Sequence, residues 1–149
     1  MVGRFAVKIV GFYREETWDA LSENSGVYFV FRGERTGDRR CRLHELIYIG
    51  KAEEQGIKHR VQNHEKLSVF RGAVQPGELL YFAYAEIDSA TVGEVEAALI
   101  NRFDPVINRS CTESFTSVYE EIHISISGSV PILFSENIEF SVRPERRED

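Results

Sequence analysis

Apolar and polar positions along this chain change period several times, and each change marks an element. β-Branched and aromatic residues crowd Phe5–Tyr13 around Gly11, Val27–Phe31 and Leu46–Ile49, and each run predicts a strand. Leu79–Ile87 is almost continuously apolar, which predicts a central strand covered on both faces. Before it, Ile57, Val61 and Leu67 predict one helix over Ile57–Phe70, entered through bends at Gly50 and Gly56. A second helix is predicted over Thr91–Phe103, because Val92, Val95, Leu99, Ile100 and Phe103 form one stripe and Pro105 stops it. Beyond Asn108 the pattern turns strand-like: alternation over Glu120–Ser127, a short apolar run at Val130–Phe134, and a further strand at Ile138–Val142. Glu15–Leu21 reads as one or two helical turns and Arg143–Asp149 as a frayed tail. Arg32–Glu45 is longer than a tight hairpin needs; it reads as a hairpin running past the sheet, with Arg35, Arg39, Arg40 and Arg42 near its tip.

The order strand, strand, helix, strand, helix from Val27 to Phe103 gives an α+β fold. A chain of 149 residues is one ordinary domain with a sizeable core. The strand-rich flanks, including the C-terminal extension 109–149, are too small for a core of their own and are expected to extend the sheet. A hydrophobic share of 42% with 28% charged residues excludes disordered and fibrous classes. Arg4 and Lys8 break the opening apolar segment, and no run approaches membrane-spanning length, so a soluble protein is expected. Cys41 and Cys111 form no Cys-x-x-Cys pair and read as two free thiols, which suits a reducing cytoplasm.

Candidate chemistry concentrates between Ile47 and His64. Tyr48 ends a strand, and on a continuous helix Arg60 and His64, four apart, share one face. A phenol, a guanidinium and an imidazole converging on one spot suit a phosphate ester. Glu96 lies inside the apolar stripe of its helix, where an unpaired carboxylate is costly. A divalent metal would satisfy it; so would water or an arginine at the stripe's edge. The net charge of −6 argues against a protein that is basic throughout. The distribution is uneven, however: residues 26–71 hold ten Lys or Arg against six Asp or Glu, leaving eight against eighteen elsewhere. That local excess overlaps the candidate site.

Five short motifs follow in order: Gly26-Val27-Tyr28, Tyr48-Ile49-Gly50, Arg60-x-x-x-His64, Glu96-x-x-Leu99-Ile100 and Pro105-x-x-Asn108. Each alone is weak, but the ordered set resembles the GIY-YIG nuclease family over residues 26–108. The resemblance implies a small antiparallel or mixed sheet flanked by helices (a β-β-α-β-α core), here with extra N- and C-terminal strands. It implies a metal-dependent endonuclease with DNA as partner, RNA being left open, and with monomer and homodimer both open. It assigns Tyr28 as general base or holder of the attacking water, with Tyr48 assisting at the phosphate. Arg60 would offset transition-state charge, and His64 would share or replace Tyr28's proton role. Glu96 would be the single protein ligand of one Mg²⁺ or Mn²⁺ ion, which would keep waters and share phosphate oxygens. Asn108 is expected to hold the site together by hydrogen bonds, and Lys51, Arg39 and Arg40 to contact substrate phosphates. The second reading is a module of the same shape that binds nucleic acid or protein with little or no turnover. It is suggested by the acidic charge and the lack of a recognisable DNA-binding domain.

Overall fold

The computed structural model describes residues 1–111, 115–135 and 137–146. Its regular elements are β1 (Val2–Tyr13), β2 (Gly26–Gly37), β3 (Arg40–Ala52), α1 (Ile57–Gln62), α2 (Leu67–Ala73), β4 (Leu79–Glu86) and α3 (Val92–Phe103). They are followed by β5 (Thr116–Ser117), β6 (Glu121–Gly128), β7 (Glu139–Val142) and β8 (Glu145–Arg146). Short 3-10 turns occupy Glu15–Ala20, Val106–Cys111 and Ile132–Phe134.

The fold is α+β: six strands form one curled mixed sheet in the order β3-β2-β4-β1-β6-β7. Residues 26–108 supply the contiguous half β3-β2-β4. The flanking strands extend it, and β1 makes the join, running antiparallel to β4 with its C-terminal part and parallel to β6 along Val2–Ile9. β5 and β8 pair separately. Because successive strand side chains alternate faces, the apolar run Val27–Phe31 feeds two cores. On one face Val27, Phe29 and Phe31 meet Val92, Val95 and Leu99 of α3, with Phe134 stacked on Phe103 at 4.4 Å between ring centres. On the other, Tyr28 and Val30 meet Ile57, Val61, Phe70 and Trp18. β4 is central, with neighbours on both sides and both faces covered, as its unbroken hydrophobicity predicts.

The stretch Arg32–Glu45 forms the long hairpin expected of it: β2 and β3 stay paired out to Gly37↔Arg40, beyond the last β2–β4 pair at Gly33↔Leu79, and Arg39 takes a left-handed φ of 62° at the tip. Two expectations need correction. The helix expected over Ile57–Phe70 is two short helices, because side chains capture the backbone at the break. Asn63 donates to the carbonyl of His59 at 2.9 Å, and Nδ1 of His64 accepts the Lys66 N–H at 3.0 Å. The short apolar run Val130–Phe134 contains a 3-10 turn, and Phe134 is buried against Phe29. In the tail, Glu145 and Arg146 are paired in β8 rather than frayed; residues 147–149 lie outside the described part, as does the Cys111 side chain. Cys41 is a free thiol. Among the described residues no helix is long and apolar enough to cross a membrane.

Candidate active site

The pairing of β2 with β3 sets the two motif tyrosines against each other. Tyr28 lies opposite Gly50 and Tyr48 opposite Val30, so both phenols emerge on the same face with ring centres 6.2 Å apart. Gly50 has a steric reason. A Cβ there would collide with the Tyr28 ring and its oxygen, so only a residue without a side chain lets the phenol lie across β3. Gly26 is similarly constrained, since a Cβ would run into the carbonyl of Ala85 on β4.

β3 is an outer strand, and its free edge at Ile49 is closed by Asn108. The Asn108 side chain accepts the Ile49 N–H at 2.7 Å and donates to the Ile49 carbonyl at 2.9 Å. Asn108 is 4% exposed, so this clamp on β3 is buried from solvent. It fixes the residue between Tyr48 and Gly50.

A cleft of about 450 Å³ opens beside this strand end, lined by Tyr28, Tyr48, Lys51, Ala52, Glu53, Glu54, Gln55, Arg60 and Glu96. Five of the residues singled out in the sequence therefore meet in one place, drawn from β2, β3, α1 and α3. His64 stands behind them. Its ring packs edge-on against Tyr28 and Tyr48 at 5.9 and 5.2 Å, although it lies in the break after α1 and not on a shared helix face with Arg60. Arg39 and Arg40 are not brought to this cleft; they sit at the hairpin tip and line another.

The electrostatics divide the groups by role. Arg60 is held by Glu65 through two contacts, Nη1 to Oε2 at 2.8 Å and Nη2 to Oε1 at 3.4 Å. That hydrogen bond draws the Glu65 carboxyl down to about 2. The Tyr28 hydroxyl is buried without a hydrogen-bond partner among the described residues. Burial and the neighbouring Tyr48 push its ionisation well above the ordinary phenol range, while Arg60 pulls the other way. Burial, then Arg60, lower His64 to about 4, so the ring is neutral at pH 7. With Nδ1 accepting from Lys66, the proton of the neutral ring belongs on Nε2, which is buried and unpartnered. Burial raises the Glu96 carboxyl, opposed by Lys51 and Arg60.

No group of three or more His, Cys, Asp or Glu suited to a metal is present among the described residues. Glu96 offers one hard oxygen donor, partly desolvated and open to the cleft. That fits an ion of the magnesium class, which retains waters and takes phosphate oxygens, and does not fit a fully protein-caged metal.

The sequence reading missed Glu65, whose position next to His64 became informative only once the helix broke and turned it back to Arg60. It also missed Glu53, Glu54 and Gln55, for which the only signal was their adjacency to Lys51. Glu53 pairs with Lys51 at 3.2 Å. No family model, no curated protein and no solved structure matches this chain. The likeness to GIY-YIG nucleases therefore rests on the ordered motifs.

Proposed function

We propose that the chain is a divalent-metal-dependent endonuclease of the GIY-YIG kind, hydrolysing phosphodiester bonds in DNA. The observation that supports this reading is the single cleft shared by Tyr28, Tyr48, Lys51, Arg60 and Glu96. Two buried polar atoms nearby, Tyr28 Oη and His64 Nε2, lack partners among the described residues. Unmet polar atoms at a cleft are the mark of a site that is completed by water or substrate.

Among the described residues the cleft is lined by no Ser/His/Asp or Cys/His set, which favours direct hydrolysis. Lys51 and Arg60 bind the phosphate, and Glu65 keeps the guanidinium oriented so that little reorganisation is needed as charge builds. His64, with its proton on Nε2, acts as a donor rather than as the base. The Tyr28 phenol first gives its proton to solvent; a water oxygen then attacks phosphorus opposite the leaving oxygen and passes its proton to the phenolate Oη, while the bond to the leaving oxygen breaks and that oxygen takes a proton from solvent. Glu96 would hold the metal ion, which when bound supplies charge stabilisation at the leaving oxygen.

One observation favours the second reading, a binding or regulatory module without turnover. Glu53 and Glu54 add negative charge to the cleft, and Glu53 occupies Lys51. The two readings separate on incubation with supercoiled plasmid and Mg²⁺ or Mn²⁺, with and without EDTA. The nuclease reading expects nicked or linear product, lost with EDTA and with Glu96→Gln while the variant stays folded. Cleavage by Glu96→Gln at the wild-type rate would remove the metal assignment. An inert wild type across duplex, branched, single-stranded and RNA substrates would favour the binding module.

A further inference from the structure

A second cleft, of about 530 Å³, is lined by the end of β1 and the tip of the β2–β3 hairpin. Four arginines reach it: Arg14, Arg35, Arg39 and Arg40. Arg14 is paired with Glu16 at 2.7 Å and Arg35 with Asp38 at 3.3 Å. Arg39 and Arg40 have no hydrogen-bond or ion-pair partner among the described residues, so positive charge exceeds negative here although the chain as a whole is acidic.

The second observation is independent of charge. Tyr81, from β4, also lines this cleft, is 3% exposed, and its hydroxyl is buried with no hydrogen-bond partner among the described residues. A buried O–H left unmet is costly, and such groups in native proteins usually mark a missing partner. The partner has to be an acceptor compatible with a ring of guanidinium groups. A phosphate oxygen meets both conditions, since planar guanidinium forks match it and a phenol can donate to it.

We propose that this cleft binds a phosphate group, gripped by Arg39 and Arg40, with Arg14 and Arg35 adding positive charge and Tyr81 Oη donating the hydrogen bond it lacks. The site is separate from the candidate active site. Tyr81 faces the core on the α3 side of the sheet and Tyr28 the core on the opposite side. Along β2, Arg35 lies seven residues beyond Tyr28, on the order of 20 Å at the usual strand rise. The phosphate can come from a nucleic-acid backbone, in which case the site is a distant anchor for the substrate of the nuclease reading. It can also come from free phosphate. Only the first source rests on that reading.

The full-length protein, Tyr81→Phe and the double variant Arg39→Ala/Arg40→Ala separate these cases, once melting curves show that the variants are folded. Cys41 lines the same cleft, so its iodoacetamide modification, read by peptide mass mapping, reports local occupancy. Inorganic phosphate at constant ionic strength is expected to slow modification severalfold in the wild type and to have little effect in either variant. A labelled DNA duplex in EDTA is expected to bind roughly tenfold more weakly to the double variant, with the salt slope reduced by about two. Phosphate protection without any change in duplex binding assigns the site to free phosphate. Loss of duplex affinity in both variants assigns it to the nucleic acid. Tyr81→Phe behaving as wild type in both assays overturns the site, because arginines alone would then be acting as general surface charge. Absence of metal-dependent cleavage would sink the nuclease reading and leave the phosphate result standing.

Discussion

The side chain of Asn108 holds both backbone groups of Ile49, taking the place of the neighbour that an outer strand lacks. Asn108→Ala would leave a buried N–H and a buried carbonyl unmet, at a cost of roughly 1–3 kcal/mol for each group left without a partner. For the two groups together, urea unfolding should show a loss of roughly 2–6 kcal/mol. Cleavage should fall as well, because Tyr48 and Gly50 flank the residue released. A variant of undiminished stability would show that the two hydrogen bonds are replaced by water at no cost.

Gly50 and Tyr28 make a sharper test of geometry. Gly50→Ala places a methyl group where the phenol lies, and the ring must move. The protein should remain folded with a loss of roughly 1–3 kcal/mol, typical of overpacking. Its catalytic loss should be far larger than that of Gly72→Ala, a position where an added Cβ meets nothing. Equal activities for the two variants would remove Tyr28 from the reaction.

Arg60 should matter mainly in the transition state. Arg60→Ala is expected to bind DNA nearly as well as the wild type and to cut ~10²–10³-fold more slowly in single turnover. Glu65→Gln keeps the guanidinium but loosens its hold, so a smaller loss of rate is expected, with affinity unchanged or raised. If affinity and rate fall together in Arg60→Ala, the residue is a uniform phosphate anchor.

Two pH effects follow from the buried groups. His64 is lowered in the folded protein from 6.5 to about 4, so between these values the unfolded chain binds the extra proton and the folded one does not. Stability from this group is therefore complete above about pH 6.5 and is lost progressively as pH falls toward 4, by at most about 3 kcal/mol. Glu65 loses its own contribution lower, between 4.5 and about 2, which separates the windows. Urea midpoints at pH 7 and pH 4.5 should fall more steeply for the wild type than for His64→Gln. The cleavage rate should instead rise toward alkaline pH, because Tyr28 must ionise and its environment raises that threshold. A rate flat from pH 7 to 9 would exclude the Tyr28 phenolate as base.

Much of the architecture was legible in the chain because period reports burial directly. The stripe Val92, Val95, Leu99, Ile100 predicted α3, and the unbroken Leu79–Ile87 predicted a central strand. The α+β class followed from their order. The motifs also picked out Tyr28, Tyr48, Arg60 and Glu96, and the position after Gly50 picked out Lys51; the fold gathers all five at one cleft, and Asn108 from the last motif clamps the strand beside it. What the sequence could not decide were contacts between distant residues. The register that lays Tyr28 on Gly50 is a property of strand pairing, and the clamp of Asn108 on Ile49 depends on β3 being an outer strand. The break after α1 follows from local side-chain capture of the backbone, which competes with helix formation and leaves no mark on hydrophobic period. The placement of Arg39 and Arg40 was decided in the same way. The chain places them near the tip of a long hairpin, whereas only the tertiary structure decides that this tip lines a cleft with Tyr81 and not the candidate site.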